Sequence, residues 1–460
     1  TQRGRIEYAL GGGRINTDAI DNSAGVDCSD HEVNLKILLQ LLVESGEVGT
    51  HDERDRLLAA MTDEVCAAVL DDNYGQSLCL ALDEQRATRD VEPFLALAER
   101  LTAAGLLDRA GDGFPSDREI RGRSPVRLTR PELAVLMAAA KMQLKHALLE
   151  SPAAELPGDR TLLSSYFPGV IRQRFAGRIS DHPLAREIVA TVLANTVINR
   201  AGSAFVHHLA ECACVSPPDI ASAYVLFDRL LGGETLRREL FALDGRLPAQ
   251  RQYGLLLQIE ETLGGVCLWA LEHRKVPPSS EASFAELERQ RDLFARQEKE
   301  IAGERGWRLR EEARLAMEGE GIAPELAGRL ASLPLWNDFL PASVLAGEAE
   351  RGVVETARTL TLFRDRLGIA ELLHLSSLVP VREPWDRTAV RDLQRGLEAV
   401  LADLARTFFR EGGGAVEDFL SRRKSRLQGY HSLREQLHTP PPNCHPFMVL
   451  LHLLRSLLSS

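Results

Sequence analysis

Apolar residues recur three and four positions apart along most of the chain, the spacing of helices with one buried face. Val33, Ile37, Leu38, Leu41 and Leu42 make the first such stripe, and Leu133, Leu136, Met137, Ala140 and Leu144 a later one. The pattern predicts helices over about 52–70, 72–104, 181–213, 216–231, 235–244, 248–273, 346–366, 385–411 and 415–437. Ser29 with Glu32, and Thr129 with Glu132, have the spacing of capping boxes, and Pro131 sits in a first turn where its missing amide costs little. Breaks are expected at Gly46–Thr50, at 108–124, at a linker over 151–159, at Leu333–Trp336 and at Thr439–Pro442. Residues 281–319 are dense in Glu, Arg and Gln and read as an exposed or loosely packed helical hairpin.

The start of the chain differs. Thr1–Gly13 is basic and glycine-rich without periodicity, and Gly11–Gly13 reads as a flexible turn. Arg14–Asn22 alternates enough for a short strand, followed by a tight loop through Gly25 and a helix opening near Ser29. The fold class expected is therefore mainly α. A large C-terminal helical domain, 46–460, with sub-boundaries near 151–160 and 332–345, follows the last strand–loop–helix of an α/β domain in residues 1–45. Open α/β sheets bind ligands beyond the carboxyl ends of their strands, which places interest on this loop.

Composition narrows the class. The net charge of −11 argues against nucleic acid and anionic membrane as partners. Leu133–Ala140 is too short to span a bilayer, and His452 and Arg455 interrupt Phe447–Leu458, so no membrane span is expected. Seven scattered cysteines fit free thiols in a reducing cytosol, and a cytoplasmic location is expected. The chain opens at Thr1 rather than Met, and we expect a fragment or a processed product.

Few side chains carry distinctive chemistry. Asn22 could offer an amide donor and acceptor at the end of the expected strand, and on local sequence alone Ser29 caps its own helix. Tyr74 reads as a packed aromatic near a helix start. Asn195 and Asn199 share a face and are expected to bond across to a neighbouring helix; a ligand amide or carboxylate is the alternative. Among His207, His208, Cys212 and Cys214, only His208 and Cys212 could reach one ion, so no metal is expected. No P-loop, His-Glu-x-x-His or paired Cys-x-x-Cys occurs.

Asn22-x-x-Gly25-Val26-x-x-Ser29-x-x-Glu32 resembles the Asn-Ala-Gly-Gly-Val-x-x-Ser-x-x-Glu element of glutamate dehydrogenases. The longer run GGGRINTDAIDNSAGVDCSDHEVNLKILL is similar to the large bacterial NAD-specific members. The similarity continues through RLTRPELAVLMAAAK, YFPGVIRQRF and HPLAREIVATVLANTVINRAGSAFV. The resemblance implies a Rossmann-like dinucleotide-binding domain, NAD as cofactor, L-glutamate and 2-oxoglutarate as substrate and product, and a homo-oligomer. It implies that Asn22 contacts the cofactor ribose and that Val26 and Ser29 line the pocket for the side-chain carboxylate. Ser23 and Ala24 depart from the Ala-Gly of smaller members. The family's dinucleotide fingerprint, reactive lysine and catalytic acid lie upstream of this element, so the chain alone is expected to be inactive. A helical interaction scaffold is the alternative. A different amino-acid dehydrogenase fits less well, because the Ser29 hydroxyl would be left unpaired by a branched apolar substrate.

Overall fold

The computed structural model describes residues 1–151, 159–276, 281–381, 383–437, 439 and 441–458. The linker expected over 151–159 lies mostly outside them, as does part of the Thr439–Pro442 break. Among the described residues the structure is helical with no strand, and the chain divides into two compact units, Thr1–Val276 and Pro277–Ser460.

The first unit opens with α1 (Gln2–Leu10), α2 (Asp18–Asp21), α3 (Ser23–Glu44) and α4 (His51–Arg89). It continues with α5 (Glu92–Ala103), α6 (Asp117–Arg121), α7 (Arg130–Glu150), α8 (Asp159–Tyr166) and α9 (Gly169–Arg174). Helices α10 (Ala185–Ala201), α11 (Phe205–Ala213), α12 (Pro217–Leu231), α13 (Gly233–Phe241) and α14 (Ala249–Glu272) complete it. The 39-residue α4 spans about 58 Å. Thr50 caps it by accepting the Glu53 N–H at 3.1 Å, and Arg86 and Arg89 sit in its last turn, where cations suit the helix dipole. Helices α3, α7 and α10 all pack on α4, and Leu38, Leu136, Leu193 and Leu80 are fully buried in that core.

Several expectations change. Thr1–Gly13 contains α1, whose N-terminus the Thr1 hydroxyl caps. The strand expected at Arg14–Asn22 is absent: residues 14–17 are irregular, and α2 takes the rest as a single turn. A strand needs a ladder partner. Here Asn16 is held by side chains instead, its carbonyl by Arg5 at 2.7 Å and its amide oxygen by Arg130 at 2.9 Å. Leu70–Asp72 contains no breaker, so α4 runs through the interruption expected there and ends at extended Asp90. Gly46–Thr50 is a turn between α3 and α4 inside the first unit. Half of the capping box at Thr129 forms: the Thr129 N–H donates to the Glu132 carboxylate at 2.7 Å while the Thr129 hydroxyl is buried without a partner, and Arg123 clamps the buried Glu132 with two bonds of 2.6 and 2.9 Å.

The helix expected over 181–213 is two helices, because Gly202 adopts φ 100°, ψ 163°. The turn this makes delivers the Ser203 N–H and hydroxyl to buried Asp83 at 3.0 and 2.7 Å. Arg86 holds the other Asp83 oxygen at 2.8 Å. α14 is the one described helix long and apolar enough to cross a bilayer, yet 61% of its most apolar stretch is buried within the unit. Its apolar character fills the core around Leu255, Leu256 and Leu263.

The second unit comprises α15 (Glu281–Arg296), α16 (Glu298–Gly319), α17 (Pro324–Ser332), α18 (Phe339–Ala349) and α19 (Val353–Leu367). It continues with α20 (Ile369–Ser377), α21 (Pro384–Arg410), α22 (Val416–Ser421), α23 (Lys424–Arg434) and α24 (His445–Ser456). The charged hairpin is anchored rather than loose: buried Phe294 packs against Trp336 and Phe339 at 5.3 and 5.5 Å between ring centres. Phe363, Phe408 and Phe419 form an edge-to-face cluster between α19, α21 and α22.

A Cβ at Gly202 would stand 2.5 Å from both Asp83 Oδ1 and Arg86 Nη1, in a backbone region only glycine adopts readily. Gly202→Ala is therefore expected to lower stability by about 1–3 kcal/mol or more, read as a shift in the urea unfolding midpoint.

Candidate functional site

The rotation of α3 decides what it shows. Its buried stripe is His31, Asn34, Leu35, Leu38, Leu39 and Leu42. Val33, expected inside, is 53% exposed, and Ile37 and Leu41 are only partly covered. The reason is polar. Asn34 Nδ2 donates to the Tyr166 hydroxyl at 2.9 Å, and that hydroxyl donates to Asp30 at 2.8 Å. The His31 ring stacks on Tyr166 with centres 4.4 Å apart. The Leu184 N–H donates to His182 Nδ1 at 3.1 Å, so the ring proton lies on Nε2 and donates to the Asn34 carbonyl at 3.1 Å. These bonds turn two polar residues inward and Val33 out.

The opposite face carries Asn22, Val26, Ser29 and Val33, spaced 4, 3 and 4 residues apart, and all four are exposed. Val26 is 68% exposed. The structure thus brings the three residues picked out by the sequence onto one open surface. It corrects their local roles. α3 starts at Ser23 with Asn22 at its N-cap, so Ser29 lies in the second turn and caps nothing. The Ser29 hydroxyl donates back to the Gly25 carbonyl at 3.3 Å, and Glu32 pairs with Lys36. The Asn22 side chain makes no capping bond. A Cβ at Gly25 would lie 3.1 Å from Asn22 Oδ1, so glycine keeps this corner tight.

Sequence reasoning missed Asn73. Its Nδ2 donates to the Ile20 carbonyl at 3.0 Å and to Ser23 Oγ at 2.9 Å, pinning the α2–α3 corner to α4. An asparagine inside a helix, where its propensity is poor, was the available signal.

The flank of α3 bearing Asp27, Asp30 and His31 borders a cavity of about 630 Å³ between α3, α4, α8, α10, α13 and α14. Asn195 and Asn199 line it and, among the described residues, bond to no neighbouring helix; Asn199 Oδ1 is buried without a partner. A Cβ at Gly75 would lie 3.2 Å from Asn199 Nδ2, so the Asn199 side chain rests against bare α4 backbone there, while α4 bonds α10 elsewhere, from Cys79 and Arg86 to the Ile198 and Arg200 carbonyls. Tyr74 lies in the interior of α4, not at its start; its hydroxyl donates to Asp244 at 2.9 Å and its ring meets Phe241 edge-on. Burial raises the carboxyls of Asp27 and Asp72 and pushes the Lys141 ammonium down to about 8.

On α11, Cys212 Sγ approaches the His208 ring at 3.8–4.0 Å. His207 faces Glu211 at 3.5 Å, and Cys214 is exposed in a left-handed conformation. Among the described residues no three metal-binding side chains converge.

Burial holds His31 and His182 below the ordinary 6.5. The unfolded chain takes up these protons at the ordinary value while the folded chain resists them. The two rings therefore cost stability as pH falls below 6.5 and cost little above it. Raised Asp27 and Asp72 act in the opposite sense at lower pH. His31→Phe keeps a ring against Tyr166, and unfolding midpoints across a pH series are expected to fall less steeply below 6.5 in this variant.

One open face of α3 thus presents two polar and two apolar side chains beside a glycine-tightened corner. The family model described as "Bacterial NAD-glutamate dehydrogenase, catalytic domain" matches residues 1–83, and "Glutamate dehydrogenase, C-terminal" matches 126–456. The chain belongs to the bacterial NAD-specific glutamate dehydrogenase family. It is 36% identical to the NAD-specific glutamate dehydrogenase of Mycobacterium tuberculosis over 407 residues, 85% of this chain and 24% of that protein. The enzymes of the same name from Halomonas elongata and Pseudomonas aeruginosa are 40% and 39% identical, each over 60% of this chain and 17% of their own length. The chain thus spans about a quarter or less of the relatives it matches.

Proposed function

We propose that this chain is the C-terminal part of a subunit that oxidises L-glutamate with NAD and water to 2-oxoglutarate, ammonia and NADH. One observation carries the reading: Asn22, Val26 and Ser29 lie together on the open face of α3, while the opposite face is locked into the helical unit. The names of the relatives and the catalytic-domain match over 1–83 support it.

In this reading α3 closes a Rossmann-like dinucleotide-binding domain whose other elements stand outside the chain. Asn22, with its amide free of any capping duty, suits the ribose of NAD. Val26 lies against the methylenes of glutamate. The Ser29 hydroxyl rotates away from the Gly25 carbonyl and donates to the side-chain carboxylate. That exchange trades a bond to a neutral carbonyl for one to a charged group, the stronger of the two. A branched apolar substrate offers no such acceptor, which favours glutamate. No Gly-x-Gly-x-x-Gly turn occurs in these residues, so hydride transfer requires groups from the rest of the subunit, and the chain alone turns over no glutamate.

In the full-length enzyme, Ser29→Ala is expected to raise the KM for glutamate by about ten- to a hundredfold, the value of one hydrogen bond to a charged group, with little change in the KM for NAD. Asn22→Ala is expected to do the reverse. Steady-state kinetics with each substrate varied checks both. An unchanged glutamate KM in the Ser29 variant would remove the residue from the substrate pocket.

A further inference from the structure

We infer that Asn73 is a positioning residue for the cofactor, holding Asn22 where its amide meets the ribose of NAD. The inference rests on the assignment of Asn22 to the ribose and adds to it a residue that touches no ligand itself. Asn22 sits between α2 and α3, as the last residue before α3. Its side chain makes no capping bond, so the amide takes its place from the backbone on either side. Asn73 holds that backbone on both sides. Its Nδ2 carries two protons. It donates to the Ile20 carbonyl at 3.0 Å, ahead of Asn22, and to Ser23 Oγ at 2.9 Å, directly behind it.

The two acceptors explain why an amide serves here. Ile20 lies in the last turn of α2, where carbonyls run out of intrahelical donors, and Ser23 opens α3. A short side chain with two N–H donors on one atom spans both. Arg5 also ties this region, through Asp18 and Asp21, but both of these lie ahead of Asn22. Asn73 is half-buried in the interior of the 39-residue α4, between buried Val69 and Leu80, so the pin stands on a rigid element. Asparagine suits a helix interior poorly, and its bonds to the corner offset that cost.

The effect of the pin is selective. A Cβ at Gly25 would stand 3.1 Å from Asn22 Oδ1, so the Asn22 amide rests over bare backbone and moves with the corner. A hydrogen bond to a ligand weakens steeply once its geometry is lost. Ser29 stands nearly two turns further along α3, where the Asn34–Tyr166 bond fixes the helix independently of the corner. Loss of the pin therefore reaches the cofactor contact and spares the substrate contact.

The test is steady-state kinetics on the full-length enzyme carrying Asn73→Leu. Leucine fills a similar volume, carries no N–H donor and suits a helix interior. The KM for NAD is expected to rise at least about threefold and no further than in Asn22→Ala, while the KM for glutamate changes by less than about twofold. In the Asn22→Ala background, Asn73→Leu should add less than about twofold, because the side chain it positions is gone. A helix that merely lost stability would lower the thermal midpoint without this split between the two substrates. An unchanged KM for NAD in a folded Asn73→Leu enzyme would overturn the inference. So would equal rises for both substrates, or a rise that adds in full to that of Asn22→Ala. Should Asn22→Ala itself leave the KM for NAD unchanged, the ribose assignment fails and the inference with it. A rise in Asn22→Ala without one in Asn73→Leu removes the inference alone. If Asn73→Leu does not fold, Ser23→Ala, which removes one of the two acceptors, decides by the same outcomes.

Discussion

The orientation of α3 is set by a small polar lock, and what the molecule offers to a ligand follows from it. Asn34 and His31 lie under Tyr166, and His182 holds the Asn34 carbonyl from the other side. Turning the helix by one residue, about 100°, would leave these buried groups without partners, each at a cost of about 1–3 kcal/mol. It would also draw Leu35 and Leu38 out of the core. With the rotation fixed, Asn22, Val26 and Ser29 can only face outward. Asn73 fixes the corner from which the helix starts, so both angle and origin are specified from α4 and α8.

The scaffold behind this lock uses buried charge to join helices. Asp83 on α4 takes the Ser203 amide and hydroxyl beyond the end of α10, with Arg86 on its other oxygen. Arg237 on α13 reaches Asp228 on α12 at 2.7 Å and Glu260 on α14 at 2.7 Å, and Tyr224 completes the set. Buried ion pairs add little net stability over apolar packing, but breaking one leaves an uncompensated charge. Their effect here is to hold particular helix ends together around an otherwise interchangeable set of leucines. The second unit follows the same rule on its own, with Arg364 between Asp338 and Glu398.

The helical character was legible because most helices bury an apolar stripe, and the breaks at Gly46 and Leu333 carry turn-forming residues. The Glu132 half of the capping box at Thr129 was legible for the same local reason. The α3 stripe was misplaced because apolar spacing alone could not know that His31 and Asn34 would find partners more than 130 residues away. The strand at Arg14–Asn22 failed on the same ground, since alternation does not supply a neighbour. The choice of Asn22, Val26 and Ser29 came from a family resemblance rather than from local chemistry, which assigned Ser29 to a cap it does not make. The cavity was half visible: Asn195 and Asn199 share a face as expected, but the expected bonds to a neighbouring helix do not form, and the Asn199 side chain rests against Gly75 instead.

The central claim is that the open face of α3 is the wall of a substrate and cofactor site. Thiol labelling of a Val26→Cys variant of the full-length protein tests it most directly, with peptide-resolved mass spectrometry separating the new thiol from exposed Cys28. The account predicts ready modification in the free protein and strong slowing when glutamate and NAD are added together. A labelling rate unchanged by saturating ligands would contradict it and leave α3 a structural helix.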